Sequence, residues 1–156
     1  MYIAIDLYVD TCIVGGMSTR LPCYCATLRQ ATRVISQRYE IAMRGTQLTN
    51  TQFTLLMVLG EMPRPRVNDL AEALAMDQTT LSRTLKVMER EGLISSVAGE
   101  DKRESRWIIT ALGRSRFRRA FPRWQEAQRS VEKALGVEGT ESLTSAAFDL
   151  STSLAT

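Results

Sequence analysis

The chain has 156 residues, a hydrophobic fraction of 44% and a net charge of +3, which is typical of a globular protein with its own core. It contains no histidine, and this excludes Ser–His and Cys–His nucleophile pairs and the Cys₂His₂ zinc site. Its three cysteines are an odd number, so a secreted disulfide framework is not expected. Because a glycine-rich phosphate loop and a membrane-spanning apolar run are also missing from the sequence, we expect a cytoplasmic protein that is not an enzyme and has no cofactor or metal.

The positive charge is concentrated in the middle of the chain. Between Arg83 and Lys133 there are 13 Lys and Arg against 7 Asp and Glu, whereas residues 134–156 carry three acids and no base. A basic middle indicates a polyanionic partner. A solvated helical surface would explain the charge alone equally well.

Residues 1–20 show neither a helical period nor a capping signal, and we treat them as an N-terminal extension that need not be ordered. From Cys25 to Met43 apolar residues recur at steps of three and four, which predicts an amphipathic helix. A second helix begins after Thr49, because Thr49 and Gln52 have the spacing of a capping box. Gly60 and the two prolines that follow it end this helix.

The sequence VNDLAEALAMDQTTLSRTLKVMEREG has the spacing of a helix–turn–helix. In this prediction Asn68 caps a short first helix and AMD forms the turn. Asp77 then caps a second helix over residues 78–91, which ends at Gly92.

Two short strands, LISSVAG and SRWIIT, follow the second helix on either side of the charged tip GEDKRE. This pattern predicts a β-hairpin. Thr110 then caps a long helix, roughly 111–136, which Pro122 interrupts. Gly136 and Gly139 separate this helix from a last one.

The second helix of the helix–turn–helix has two different faces. At 100° per residue its apolar residues fall on one side, while the opposite side carries amide, hydroxyl, guanidinium and ammonium groups. These polar residues are Gln78, Thr79, Ser82, Arg83 and Lys86. They suit a DNA major groove, where Gln pairs with adenine edges, Arg with guanine edges, and hydroxyls and Lys with phosphates. An ordinary solvated face is the alternative, and the helix alone favours it.

The hairpin favours DNA binding over an ordinary solvated face, because a helix–turn–helix followed by a two-stranded basic hairpin is a winged helix. In that fold the helix enters the major groove, and the hairpin tip can reach the neighbouring minor groove, whose potential attracts Arg and Lys. Lys102, Arg103 and Arg106 provide the positive charge here. A solvated turn is the alternative for these three residues.

The segments LTNTQFTLLMVL, VNDLAEALAMDQTTLSRTLKVMEREGLI and GEDKRESRWIITALGR, with the long flanking helices, resemble the MarR family of bacterial transcription regulators. The resemblance runs from about Cys23 to the C-terminus. It implies a mainly α fold with a small β-hairpin wing and a helical dimerisation domain. It also implies homodimers that bind palindromic operators and usually repress transcription. In most members of the family a small phenolic ligand or an oxidant releases the protein from DNA.

The same resemblance assigns roles to residues of the winged helix. Arg103 of the D-x-R motif would be the minor-groove arginine, and Asp101 would orient the wing arginines. The side chains that would face the operator are Thr79, Thr80, Ser82, Arg83 and Lys86.

We therefore predict four parts of the chain. They are an N-terminal extension (1–20), a dimerisation helix (21–47), a winged helix–turn–helix DNA-binding domain (48–110) and C-terminal dimerisation helices (111–156). The long helix has its own apolar stripe, made of Phe117, Phe121, Trp124, Val131 and Leu135. Gln128 interrupts the rhythm of this stripe. Packing within one chain would bury such stripes, but helix–turn–helix proteins commonly dimerise to read two half-sites, so we predict a homodimer.

Two kinds of effector site remain open. A pocket for a small aromatic or phenolic ligand would draw on residues that serve equally well as core, namely Tyr39, Phe53, Met57, Phe117 and Phe121. Cys23 and Cys25 lie at the start of the first helix, where the partial positive charge of a helix N-terminus favours a reactive thiolate. A redox-sensing branch of the family carries its cysteine near this helix, with tyrosine partners. Two small hydrophobic residues in a dimer interface are the simpler interpretation, which we favour.

The function that we predict is a sequence-specific, DNA-binding transcriptional regulator. In this hypothesis a homodimer represses a palindromic operator and a small ligand releases it. The alternatives are a thiol-based redox-sensing regulator that uses Cys23 and Cys25, and a ligand-binding module that has lost its role on DNA.

Overall fold

The computed structural model describes residues 23–99 and 104–154. Its elements are α1 (Tyr24–Ala42), α2 (Asn50–Glu61), α3 (Val67–Ala73), α4 (Gln78–Arg90), β1 (Ile94–Ala98), β2 (Ser105–Ile109) and α5 (Ala111–Ser153). This order confirms a mainly α fold with one β-hairpin. Among the described residues no helix combines the length and the apolar character that a membrane span requires. The chain divides between residues 38 and 39 into two compact units.

In the first unit, the described residues form most of α1. The helical spacing predicted from Cys25 onward is confirmed, but no residue of α1 is buried. Tyr24, Leu28 and Val34 are all exposed, to 92%, 39% and 58%. Large apolar side chains of this helix are therefore exposed.

The second unit contains the hydrophobic core. Its largest fully buried side chains come from α2, α3, α4 and the start of the hairpin, and they are Phe53, Leu55, Leu56, Leu70, Leu81, Leu85, Met88, Leu93 and Ile94. Burial of each such side chain stabilises the fold by about 1.5–3 kcal/mol. The core therefore depends mainly on three helices: α3 and α4, which form the helix–turn–helix, and α2, which precedes them.

The capping box of α2 is present as predicted. The backbone N–H of Gln52 donates to Thr49 Oγ1 at 3.2 Å, and the backbone N–H of Thr49 donates to Gln52 Oε1 at 2.9 Å. These two bonds satisfy donors that the first turn of a helix leaves without partners. The helix ends at Glu61, just before Pro63.

The predicted cap of α3 is wrong. The N-cap is Arg66, and Asn68 lies inside the first turn. The carboxylate of Asp69 accepts a hydrogen bond from the backbone N–H of Arg66 at 2.7 Å. A carboxylate three residues after the cap satisfies this donor and also interacts favourably with the helix dipole, so the helix can begin one residue beyond Arg66.

The predicted hairpin is confirmed. β1 and β2 pair antiparallel, with Ile94 opposite Ile109 and Ala98 opposite Ser105. Trp107 turns into the core and is only 7% exposed. Its backbone N–H donates to the carbonyl of Pro65 at 3.1 Å, which attaches the hairpin to the loop before α3.

Thr110 caps α5 as predicted, because its Oγ1 accepts from the backbone N–H of Gly113 at 3.0 Å. The predicted interruption at Pro122 is wrong. Pro122 lies inside the helix, and the only non-helical backbone in α5 is at Gly136, with φ 75° and ψ 166°. A proline removes one backbone hydrogen bond, and the neighbouring turns still hold the helix. Glycine adopts a positive φ without a steric penalty, so the predicted separation at Gly136 is confirmed.

α4 is joined to β1 by a carboxylate. Glu89 Oε1 accepts from the hydroxyl of Ser96 at 2.6 Å and from its backbone N–H at 3.0 Å. The side-chain bond from Ser96, followed by the backbone bond, lowers the pKa of Glu89 below its ordinary value. The negative charge of Glu89 is thereby used to hold the hairpin.

The first turn of α5 packs against the hairpin at Gly113. A Cβ atom at this position would lie 2.0 Å from the carbonyl oxygen of Leu93 and 2.9 Å from Cγ2 of Ile109. Only a residue without a side chain can make so close an approach. The junction of α4, hairpin and α5 therefore depends on this glycine.

We predict that Gly113→Ala lowers the free energy of unfolding by about 3 kcal/mol, since backbone and packed side chains must move apart. Gly60→Ala is the matched control, because a Cβ on that helical glycine meets no atom within 4 Å. The control should stabilise α2 by roughly 0.5–1 kcal/mol. Urea denaturation of both variants measures the difference, and equal stability would contradict the close packing at Gly113.

A second prediction concerns acid stability. The folded pKa of Glu89 is lowered, so its contribution is complete above the unfolded pKa and is lost as the pH falls through the folded pKa. Glu89→Ala should therefore reduce the free energy of unfolding at about pH 7, and the difference from the parent should shrink below about pH 4. Urea denaturation across this range tests it. Glu61→Ala removes an exposed acid from α2 and should show no such convergence.

Candidate nucleic-acid interface

The exposed face of α4 is the candidate interface. Gln78, Thr79, Arg83 and Lys86 are exposed, Thr80 is exposed beside them, and Ser82 is half-buried. On the opposite side Leu81, Leu85 and Met88 are each 0% exposed. The two faces predicted for this helix are confirmed, and the structure brings the predicted polar side chains of α4 together on one surface.

Asp77 holds the start of this face in place. Its Oδ1 accepts from the backbone N–H of Thr80 at 3.0 Å and from the Thr80 hydroxyl at 3.3 Å. The backbone bond from Thr80 is the main cause that lowers the pKa of Asp77. In the turn before it, Ala75 has a φ of 47°, and the backbone N–H of Met76 donates to the carbonyl of Ala71 at 2.9 Å. The turn thus sets the direction in which α4 begins.

The two acids near the end of α4 both have partners within the fold. Glu89 accepts two bonds from Ser96, and Glu91 Oε2 accepts from Gln52 Nε2 at 2.7 Å. These charge-assisted bonds are stronger than bonds between neutral groups, so they fix the position of both carboxylates. The remaining charged groups on the exposed face, Arg83, Lys86 and Arg90, are positive.

Near the tip end of the hairpin one carboxylate contacts two guanidinium groups. Glu104 lies 3.1 Å from Arg66 Nη1 and 3.3 Å from Arg106 Nη2. Arg106 Nη1 also donates to the carbonyl of Arg64 at 3.3 Å. Arg106, predicted as part of the basic wing, is thus only 23% exposed in its side chain and holds the hairpin to the loop before α3.

The predicted tip of the wing lies outside the described residues. This applies to Asp101, Lys102 and Arg103, whose predicted roles stay predictions. The described part of the hairpin ends with the backbone N–H of Gly99, which donates to the carbonyl of Glu104 at 2.8 Å.

Sequence reasoning missed the arginines of the segment PRPR. Arg64 and Arg66 lie against the hairpin through the contacts of Arg106 and Glu104. The prediction used this segment only as a helix stop. Arginines that alternate with prolines beside a predicted winged helix are the signal that could have identified them.

The residues predicted to form a ligand pocket pack as an aromatic cluster. The rings of Phe53 and Phe117 stack with centroids 4.6 Å apart, and Phe117 and Phe121 lie 5.9 Å apart. Trp124 contacts both Phe53 and Phe121, and Met57 packs half-buried against the same core. Phe121 is 37% exposed, so one edge of the cluster is accessible.

Tyr39 is the fifth predicted pocket residue, and it has a partner that the sequence did not reveal. Its hydroxyl donates to Gln128 Oε1 at 2.5 Å. Burial raises the pKa of Tyr39, and the charge of Glu132 raises it further. In the sequence Gln128 only interrupts an apolar stripe, whereas in the structure it accepts a hydrogen bond from the half-buried Tyr39 hydroxyl.

Cys23 and Cys25 are both exposed thiols. Arg29 Nη2 donates to Cys25 Sγ at 3.6 Å, one helical turn along α1. Across residues 23–99 and 104–154, no three Cys, Asp or Glu side chains are grouped so that they could hold a metal ion. The redox role of the two thiols stays a prediction.

Comparison with known proteins identifies this arrangement. A family model, described as the MarR family, matches residues 48–105. The structure is similar to the DNA complex of the M. tuberculosis transcriptional regulator MosR, with a TM-score of 0.76 and 35% sequence identity. That match covers 84% of this chain and 95% of MosR.

Two curated relatives agree. The homoprotocatechuate degradative operon repressor of Escherichia coli is 27% identical over 118 residues, which cover 75% of this chain and 80% of the repressor. The organic hydroperoxide resistance transcriptional regulator of Bacillus subtilis (strain 168) is 30% identical over 81 residues, or 52% of this chain and 55% of the relative. Together with its winged helix, these matches show that the chain belongs to the MarR family of transcriptional regulators and is not an enzyme.

Proposed function

We propose that this regulator binds double-stranded operator DNA in a sequence-specific manner and represses transcription in the cytoplasm. The observation that carries the proposal is the polar face of α4, which is exposed while Leu81, Leu85 and Met88 are 0% exposed on the other side. MosR of M. tuberculosis was crystallised with DNA, and the E. coli relative is a repressor of a degradative operon. Both relatives support the proposal.

In this proposal the residues of α4 divide the work of recognition. Gln78 and Arg83 contact base edges in the major groove, since amide and guanidinium groups match adenine and guanine edges. The residues that contact phosphates or flank them are Thr79, Thr80, Ser82 and Lys86. The N-terminal residues of a recognition helix are those that reach the bases, and Gln78 is the first residue of α4.

The wing complements this contact. We place Arg103 and Lys102 in the minor groove, with Asp101 orienting the arginine. Arg106 keeps the tip end of the hairpin in position through Glu104 and the carbonyl of Arg64, and the exposed quarter of its side chain faces the phosphates. The DNA-binding domain therefore comprises residues 48–110.

We further propose that the functional unit is a homodimer. The helices outside the DNA-binding domain expose large apolar side chains: Tyr24, Leu28 and Val34 on α1, and Leu135, Val137, Phe148, Leu150 and Leu154 at the end of α5 and beyond it. A second copy of the chain would cover such faces and present two recognition helices to a palindrome. Residues 21–47 and 111–156 are thus assigned to dimerisation.

Release from DNA is assigned to a small effector. The accessible edge of Phe121 in the aromatic cluster supports a small aromatic ligand, because such sites are apolar with few polar groups. Tyr39 supplies a polar group bonded to Gln128. The ligand would bind more tightly to a conformation of the protein that does not fit DNA, and it would thereby shift the protein away from its DNA-bound conformation.

The roles of helix and wing predict different mutant behaviour. Arg83→Ala and Gln78→Ala should relax base preference, because each loses contacts worth about 1–3 kcal/mol of discrimination. Arg103→Ala should weaken binding to many sequences, and most where the flanks are A/T-rich. It should also make log K less steep against log salt by about one unit for each phosphate contact that is lost.

Fluorescence anisotropy with the operator, half-site variants and random DNA, each at two or more salt concentrations, measures these effects. Arg129→Ala is the control, since this exposed arginine of α5 lies outside the candidate interface. If neither Arg83→Ala nor Gln78→Ala alters base preference, α4 is not the reading helix. If Arg103→Ala leaves affinity and salt slope unchanged, the wing does not reach DNA.

The dimer predicts a sedimentation mass of roughly twice the 17.5 kDa chain at about micromolar concentration. Leu150→Asp places a charge on the exposed apolar stripe of the last helical segment and should shift the protein toward the monomer. Ser145→Asp adds the same charge on the other side of that segment and should leave the mass unchanged. A monomeric parent that binds a palindrome tightly would refute the dimer.

A further inference from the structure

A second polar site lies away from α4 and the hairpin, in the unit formed by residues 39–156. It is an open cleft of about 320 Å³ between the loop that joins α1 to α2 and the side of α5. The loop contributes Arg44, Gly45, Thr46 and Gln47, and α5 contributes Arg119 and Arg123. This volume is at the lower end of the range for small-molecule sites.

The loop that forms one wall is held by the core. Met43, Thr46 and Leu48 are buried, and the Thr46 hydroxyl donates to the carbonyl of Met43 at 2.7 Å and accepts from the backbone N–H of Leu48 at 3.3 Å. Between these anchors Gly45 has a φ of 79°. The wall is therefore fixed, and its exposed residues project from a defined backbone.

The cleft is rich in guanidinium groups that have few partners. Arg119 and Arg123 lie one helical turn apart, so they share a face of α5. Arg119 Nη2 donates to the neutral Gln47 Oε1 at 3.4 Å, and Arg123 pairs with the exposed Glu126 at 3.3 Å. Arg44, from the loop, forms no ion pair with any described residue. Three positive charges thus face one carboxylate.

We propose that this cleft binds the oxyanion group of a small ligand, a carboxylate or a phosphate monoester. Guanidinium groups present donors in a planar fork that matches both oxyanions, often through two parallel bonds. Arg44 and Arg119 bind the anion from opposite walls. Arg123 leaves its ion pair with Glu126 and binds the anion instead. As an effector site for the regulator this rests on the proposed function, whereas anion binding itself does not.

The site differs from the aromatic cluster in residues and in chemistry. None of the five residues of that predicted pocket lines the cleft. The cluster presents the edges of aromatic rings, whereas the cleft presents positively charged guanidinium groups. The cleft therefore selects a ligand with an acid group by its charge and geometry.

The test uses the full-length protein and two probes, benzoate for the carboxylate and phenyl phosphate for the phosphate monoester. Thermal shift and isothermal titration are measured at constant ionic strength, with chloride replacing the probe in the blank. The test variant is the double substitution Arg119→Gln and Arg123→Gln. The matched control is Arg118→Gln with Arg129→Gln, which removes the same charge from exposed positions of α5 that do not line the cleft.

We expect saturable binding of at least one probe to the parent and to the control. Loss of charged hydrogen bonds should raise the Kd of the test variant by about tenfold or more. The probe that binds more tightly identifies the class of ligand. Without a probe, all three proteins should melt at similar temperatures, because the substituted side chains are exposed.

Two results would overturn the proposal. One is the absence of saturable binding to the parent at millimolar probe, and the other is equal binding to all three proteins. If the parent binds neither probe but the test variant alone loses affinity for operator DNA, the arginines contact DNA phosphates instead. Operator binding is measured separately, so failure of the anion site and failure of the DNA-binding proposal give different results.

Discussion

The burial of the apolar face of α4 is the constraint on which the rest of the interface depends. Leu81, Leu85 and Met88 are completely enclosed, and together they fix how far the helix is rotated about its own axis. Rotation by one residue would place a leucine in water and a polar side chain in the core, which costs several kcal/mol. The direction in which Gln78 and Arg83 project is therefore determined by the core and not by the polar residues themselves.

The acids around α4 act at its boundaries. Asp77 caps the first turn, and Glu89 and Glu91 bond to β1 and to the start of α2. Each of these carboxylates stabilises the position of the helix while its charge is hydrogen-bonded. The positive side chains between them are Arg83, Lys86 and Arg90. A single set of contacts thus positions the helix and keeps its acids at the two ends.

What could be predicted from the sequence depended on how local the interaction is. The caps at Asp77 and Thr110 and the break at Gly136 involve residues within one turn, so spacing alone identifies them. The contacts of Arg66 with the hairpin and of Tyr39 with Gln128 join residues far apart in the chain, and no local pattern encodes such a pairing. The helix–turn–helix and the hairpin after it predicted the winged helix, and the family resemblance added roles for the wing residues. Contacts specific to this chain had to come from its structure.

The contact of Gly113 with the carbonyl of Leu93 couples the orientation of α5 to that of the hairpin. Backbone lies directly against backbone there, so little side-chain rearrangement is available to absorb a change in the angle of the hairpin. From Ala111 to the break at Gly136 the helix extends roughly 37 Å. A tilt of about 5° at the hairpin would displace the far end by about 3 Å. Motions too small to disturb the core around α4 would therefore become large at the other end of this helix.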